Sequence, residues 1–271
     1  MPTVAEVHAA VERLWPVAGA EAWDAVGLVS GDLDAPVGRI LLAVDAVLDT
    51  VHEAIQLEAD LLLTHHPLLL RGVTSVATDR YKGAVLAKLI RSDCALIAAH
   101  TNADVVETGT SAAFAAKLGL LHARPIVPGL DPARGLGRVG ELAEPTTLGR
   151  LAREVARVLP PTAGGVRVAG DFDAPVRTVA LCGGAGDSLL ADPAVLGADV
   201  YITSDLRHHP ASEARENARV SSGPALIDVS HWASEWLWLE AAAAELRAEL
   251  PDVEVTVSEL NTDPWTFAVM Q

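Results

Sequence analysis

The chain has 271 residues, 50% of them hydrophobic and 21% charged, with a formal net charge of −16 from 20 basic and 36 acidic residues. That length and composition belong to a globular chain with room for a sizeable core, and they exclude a disordered one. The acidic balance, with no block of Lys and Arg anywhere, argues against nucleic-acid or anionic-membrane binding, which needs clustered cations, and suits the binding of cations.

The elements begin with Thr3-x-x-Glu6, a capping box, followed by Val4, Val7, Val11 and Leu14 at helical spacing up to Pro16. The run RILLAVDA (39–46) reads as a buried strand, 49–59 as a helix, 61–64 as a second strand, 79–91 as a helix, 94–99 as a third strand and 110–118 as a helix. Residues 123–149 are richer in Gly and Pro and read as a domain transition. A second alternating set follows: helix 148–159, strand 166–169, strand 178–182 ending in Gly183-Gly184-Ala185-Gly186, strand 199–203, helix 210–218, strand 225–229, helix 231–250 and strand 253–260. Such alternation, with continuous apolar strands, predicts an α/β fold with mainly parallel sheets flanked by helices. The expected organisation is a first lobe over 1–125, a second over 126–222, and a C-terminal segment, 223–271, returning to the first lobe.

The two cysteines, Cys94 and Cys182, lie in apolar strand-like runs outside any CxxC pattern and read as reduced core thiols. The N-terminus lacks a basic region followed by an apolar one, and no apolar run approaches the ~20 residues of a membrane span. A cytoplasmic protein that does not contact membrane is therefore expected.

In parallel α/β folds, sites form at the carboxyl ends of strands. Six of the nine histidines fall there: His65 and His66 after 61–64, His100 after 94–99, His208 and His209 after 199–203, and His231 after 225–229. His231 and Glu235 are spaced i, i+4, so their side chains share one helix face, a spacing used by zinc-binding helices. The alternative for this pair is a polar helix start, with Glu235 complementing the helix dipole. His65 and His66 point different ways from one strand end, an arrangement that suits one ring to each of two metals. His65, His66, Asp104, His231 and Glu235 give three imidazoles and two carboxylates, thin for two metals unless a carboxylate and a water bridge them, and this mixed N/O ligation without thiolate suits Zn, Mn or Fe(II). Two such ions typically sit ~3.5–4 Å apart.

The segments LLLTHHPLLLRGV, AAHTNAD, YITSDLRHH and DVSHWASE occur in this order. Together they resemble the dinuclear-metal hexamer family of NIF-three-like proteins, also called GTP cyclohydrolase 1 type 2 homologues. AWDAVGLVSG and VALCGGAG are similar to further family segments, so the resemblance runs from Trp23 to the C-terminal strand. It implies metal ligands at His65, His66, Asp104, His231 and Glu235, with Glu235 bridging both ions. It also implies two lobes with the metals in a cleft between them, and a toroidal homohexamer. Departures from the family pattern are Ala25 in place of Asn, Ser204 in place of Gly, Pro210 in place of Asp and Ser230 in place of Gly. None removes a ligand.

Other residues carry further readings. His100 is a general base, an outer partner of the metal ligands, or a buried structural histidine. Asp205, His208 and His209 contact a substrate or form a solvated turn. Asp45 orients a ligand ring. Gly183-Gly184-Ala185-Gly186 cradles a phosphate or forms a tight turn, without the lysine of a P-loop. The function these residues point to is a metal-dependent hydrolase acting on a nucleotide or other phosphorylated small molecule, with His100 and Glu235 as catalytic candidates. The alternative is a non-enzymatic metal-binding scaffold or adaptor for protein partners.

Overall fold

A computed structural model of the chain describes residues 1–269. The chain divides into two compact units, one formed by Met1–Ala103 with Leu239–Thr262, the other by Asp104–Trp238 with the chain from Asp263 onward.

The first unit is built on a five-stranded sheet in the order Gly27–Ser30, Ala95–Ala98, Leu61–Thr64, Arg39–Ala43, Glu254–Val257. The four strands from Ala95–Ala98 to Glu254–Val257 run parallel. Their central members read LLLT, ALIA and RILLA, apolar at nearly every position. A strand whose two faces are both buried needs that pattern rather than alternation. Leu41, Leu62 and Leu96 sit side by side across three strands and pack with Val51, Val85 and Leu89 from the helices Leu48–Gln56 and Tyr81–Arg91. Each such fully buried side chain contributes about 1.5–3 kcal/mol relative to exposure. The helix Val4–Leu14 starts on a reciprocal cap, in which Glu6 N–H donates to Thr3 Oγ1 and Thr3 N–H to the Glu6 carboxylate.

The second unit carries a six-stranded sheet in the order Leu121–Arg124, Arg138–Thr147, Pro175–Ala185, Val200–Ser204, Ala225–Val229, Arg167–Ala169, and a two-stranded ribbon, Val127–Pro128 with Gly135–Leu136. Only Pro175–Ala185, Val200–Ser204 and Ala225–Val229 are mutually parallel. Ala180, Tyr201 and Leu226 form the middle of its core.

The sheets are mixed, which corrects the expectation of mainly parallel ones. Gly27–Ser30, Leu121–Arg124, Arg138–Thr147 and Arg167–Ala169 all pair antiparallel. The parallel strands are the apolar central ones, and the antiparallel ones are added outside them. Residues 123–149, expected to be a transition, include the ten-residue strand Arg138–Thr147. The strand expected at 178–182 continues through both glycines to Ala185.

Candidate metal centre

In the first unit, the backbone ladder carries on past Leu61–Thr64. His65 N–H donates to the Ala43 carbonyl at 3.1 Å and His66 N–H to that of Val44 at 2.8 Å, so both histidines are fixed where the strand ends. His100 follows the neighbouring strand Ala95–Ala98. The three rings lie 5.1–5.5 Å apart, centre to centre. One ring nitrogen from each lies within 4.8 Å of the other two.

The three Nδ1 atoms are all held. His65 Nδ1 is 2.9 Å from the Ala99 carbonyl, His66 Nδ1 2.7 Å from Asp45 Oδ1, and His100 Nδ1 2.9 Å from Asp24 Oδ1. Carbonyl and carboxylate oxygens only accept, so Nδ1 donates in every case and the neutral ring carries its lone pair on Nε2. This is the tautomer and the outer hydrogen bond that metal-binding histidines use. Asp45 is in turn held by Thr262, whose Oγ1 donates to Oδ2 at 2.5 Å. Asp24 accepts from the Thr101 N–H at 3.0 Å, the Thr101 hydroxyl and the Ala25 N–H. Burial opposes its charge, but these bonds and His100 outweigh it and hold its carboxyl below the usual carboxylate range.

In the second unit, His231 opens the helix His231–Glu249 and Glu235 stands one turn on, with Nε2 and Oε1 2.9 Å apart. His231 Nδ1 is 2.8 Å from Asp205 Oδ2, so this ring too is anchored by a carboxylate. Asp205 follows the strand Val200–Ser204 in a left-handed backbone conformation, φ +58°. Burial disfavours the imidazolium of His231, but the carboxylates of Glu235 and Asp205 outweigh it and raise its pKa to about 11. Without a cation between them, the ring and its two carboxylates therefore share a proton that a metal ion would displace.

The glycine run that follows Cys182 has its reason here. Gly184 lies at φ +71°, and a Cβ on it would stand 2.3 Å from Glu235 Oε1 and 3.3 Å from His231 Nε2. Its N–H donates to Ser234 Oγ at 2.9 Å. Gly184 thus makes room for the His231–Glu235 pair while remaining part of the strand. Asp104 accepts from Thr110 Oγ1 at 2.5 Å. The Cys182 thiol is pushed up to about 12, first by burial and then by Asp104, with Glu235 adding to it, so both carboxylates act on one neighbourhood.

Among the described residues His208 and His209 join no ligand cluster. They are exposed at the start of the helix His208–Val220 and pack edge to face with each other.

A family model described as Duf34/NIF3 (NGG1p interacting factor 3) matches residues 2–264. The chain belongs to the DUF34/NIF3 family. It is 51% identical to a Streptomyces coelicolor protein called GTP cyclohydrolase 1 type 2 homolog, over 99% of this chain and 95% of that one. Among solved structures, a Bacillus cereus protein related to NIF3 superposes with a TM-score of 0.89 at 25% identity, covering 98% of this chain and 99% of that one. A Staphylococcus aureus hypothetical protein gives 0.89 at 29% identity, covering 99% and 100%.

Within this DUF34/NIF3 chain, sequence reasoning singled out Asp45, whose carboxylate holds the His66 ring, but passed over Asp24, Thr262 and Ser234. Asp24 lay in plain view in AWDAVG, a carboxylate in an apolar segment, but what it serves is 76 residues away. Thr262 and Ser234 gave no signal, since a lone hydroxyl has none in sequence. Donor chemistry fits a divalent ion: imidazoles with a fixed Nε2 lone pair, carboxylates, and no thiolate, since both cysteines are held as thiols with pKa values raised to about 12.

Proposed function

We propose that this chain is a metal-dependent hydrolase whose centre holds two divalent cations, with His65, His66, Asp104, His231 and Glu235 as ligands. The single observation that carries the reading is that His65, His66 and His231 each have Nδ1 fixed by an oxygen acceptor. That arrangement fixes the tautomer and orients three Nε2 atoms for ligation.

When bound, such ions act as Lewis acids and lower the pKa of water, which suits hydrolysis of a nucleotide or another phosphorylated small molecule. The chain's own residues do the rest. Asp45 and Asp205 fix the rings of His66 and His231. His100, anchored by Asp24, takes up and returns a proton at Nε2, the role of a general base. Glu235, with two oxygens and one turn from His231, is the carboxylate able to reach two cations. The relatives' name, GTP cyclohydrolase 1 type 2 homolog, favours a purine nucleotide as substrate. The same reading includes a cytoplasmic location and a homohexamer, the latter tested by light scattering of the purified protein.

The test is metal content by inductively coupled plasma mass spectrometry on wild type, His65→Ala and Glu235→Ala, followed by a hydrolysis screen over nucleotides. About two ions per chain are expected in the wild type, as in other two-metal sites, falling in both variants. A wild type that holds no metal and takes up no Zn, Mn or Fe(II) overturns the reading.

A further inference from the structure

Beside His231 the second unit encloses a cavity of about 580 Å³, within the range of small-molecule sites. Its wall is formed by Arg167 and Asp228 on two adjacent strands, by the Gly164-Gly165 turn, and by the tail residues Trp265 and Phe267. Three features bear on what it takes.

The tail is tethered to the candidate centre. Ser230, the neighbour of His231, donates its hydroxyl to Asp263, and Asp263 Oδ1 accepts the Trp265 N–H at 3.0 Å. The Trp265 backbone is thereby held near a ligand-type histidine, Phe267 lines the same cavity, and the two residues are 71% and 78% exposed. Large apolar side chains uncovered at a cavity mouth, one of them on a backbone that a hydrogen bond holds in place, offer flat faces to a planar ring.

The cavity's three carboxylates, Asp205, Asp228 and Asp263, are all engaged by donors of this chain. Asp205 is engaged by His231, and Asp228 accepts from Arg167 Nε at 2.9 Å and from the Leu206 N–H at 2.9 Å. The Arg167 side chain is 70% exposed, and a guanidinium has five N–H donors, so it keeps donors for an anion while it is paired. An aromatic platform and an accessible guanidinium on one cavity together match a molecule with a planar heterocycle and a phosphate.

We propose that this cavity is the subsite that selects the substrate's ring, with Trp265 and Phe267 stacking on a nucleobase and Arg167 meeting its phosphate. The proposal rests on the hydrolase reading above and adds the residues that determine specificity. Trp265 and Phe267 are binding residues and not ligands of the centre.

The experiment is isothermal titration calorimetry of the full chain, its metal content measured on the same samples. The probes are the four ribonucleoside triphosphates and inorganic triphosphate. At least one nucleotide is expected to bind with a Kd at least tenfold lower than that of inorganic triphosphate. Trp265→Ala should weaken that nucleotide at least tenfold with metal content and Tm unchanged, and Trp265→Phe should restore most of the loss. Arg167→Gln should weaken nucleotide and inorganic triphosphate alike. Equal nucleotide affinity in wild type and Trp265→Ala overturns the proposal, as does a metal-loaded wild type that binds no nucleotide. Loss of the hydrolase reading would show separately, as a wild type without metal.

Discussion

Asp60 and Asp199 do the same work in two different sheets. Each stands just before a central parallel strand, Leu61–Thr64 or Val200–Ser204, and its carboxylate accepts two backbone N–H groups of the preceding strand's start. For Asp60 these are Gly38 and Arg39, at 2.8 and 2.9 Å; for Asp199 they are Arg177 and Thr178, both at 2.8 Å. The backbone repeats as well. Asp60 N–H donates to Arg39 and Asp199 N–H to Thr178, both at 3.0 Å, while the Ala95 and Ala225 N–H groups donate back to the two aspartates at 2.8 and 2.9 Å. The two units therefore contain one three-strand building block used twice.

Each carboxylate satisfies two donors that would otherwise have only water, so both should matter to stability. Asp60 is half-buried and Asp199 exposed. A hydrogen bond to a charged group contributes about 1.5–3 kcal/mol when sheltered and less in water, so Asp60→Ala should cost about 2 kcal/mol or more and Asp199→Ala about 1. Urea denaturation of the two variants checks the order. Equal or reversed losses would mean that solvent compensates the first site as well as the second.

This repeat also marks how far the sequence could be read. LLLT, ALIA and RILLA announce buried parallel strands because each is apolar throughout, and the histidines at their ends stand out against that background. The two His-His-Pro triplets look like an internal echo, but they are out of register: His65 lies five residues after Asp60, and His208 nine after Asp199. The residue equivalent to His66 is Asp205, which holds the ring of His231 instead of carrying one. The strand Arg138–Thr147 was hidden because RVGELAEPTT has neither alternation nor a continuous apolar run. Asp24 and Gly184 were hidden for another reason. Their roles are defined by what stands opposite them, and one chain read in order does not show what faces what.

Gly184 gives a sharp test of that kind. Alanine there would need φ +71° from a residue with a Cβ, and would set that Cβ 2.3 Å from Glu235 Oε1. The left-handed conformation alone costs about 1–2 kcal/mol, and the carboxylate must also move. Gly184→Ala should lower Tm and reduce metal uptake, whereas Gly183→Ala, with its nearest neighbours at 3.4 Å, should do neither to the same degree. Calorimetry and metal analysis on both variants decide it.

Asp45 and Asp205 hold ligand rings without being proposed as ligands themselves. Replacing such partners typically costs 10–100-fold in metal affinity. Asp45→Asn and Asp205→Asn should therefore each weaken binding by that order in a chelator competition, with far-UV circular dichroism unchanged. Affinity equal to wild type would mean that the His66 and His231 rings need no outer support.

The pH dependence of the metal-free protein follows from His231. Its pKa is raised from 6.5 to about 11, against the cost of burial, by Glu235 and Asp205. A folded-state pKa above the unfolded one stabilises the fold fully below the unfolded value, and the stabilisation is lost as pH rises through the folded one. Metal-free protein should thus lose stability from about pH 7 upward, with a slope from this group of at most about 1.4 kcal/mol per pH unit. His231→Gln should flatten the slope. Metal binding needs the neutral ring, so the same proton opposes uptake, and apparent affinity should rise up to about tenfold per pH unit over pH 6–8 for each proton displaced. Denaturation and metal titration at several pH values read the two effects separately. A metal affinity independent of pH would show that His231 gives up no proton when a cation binds.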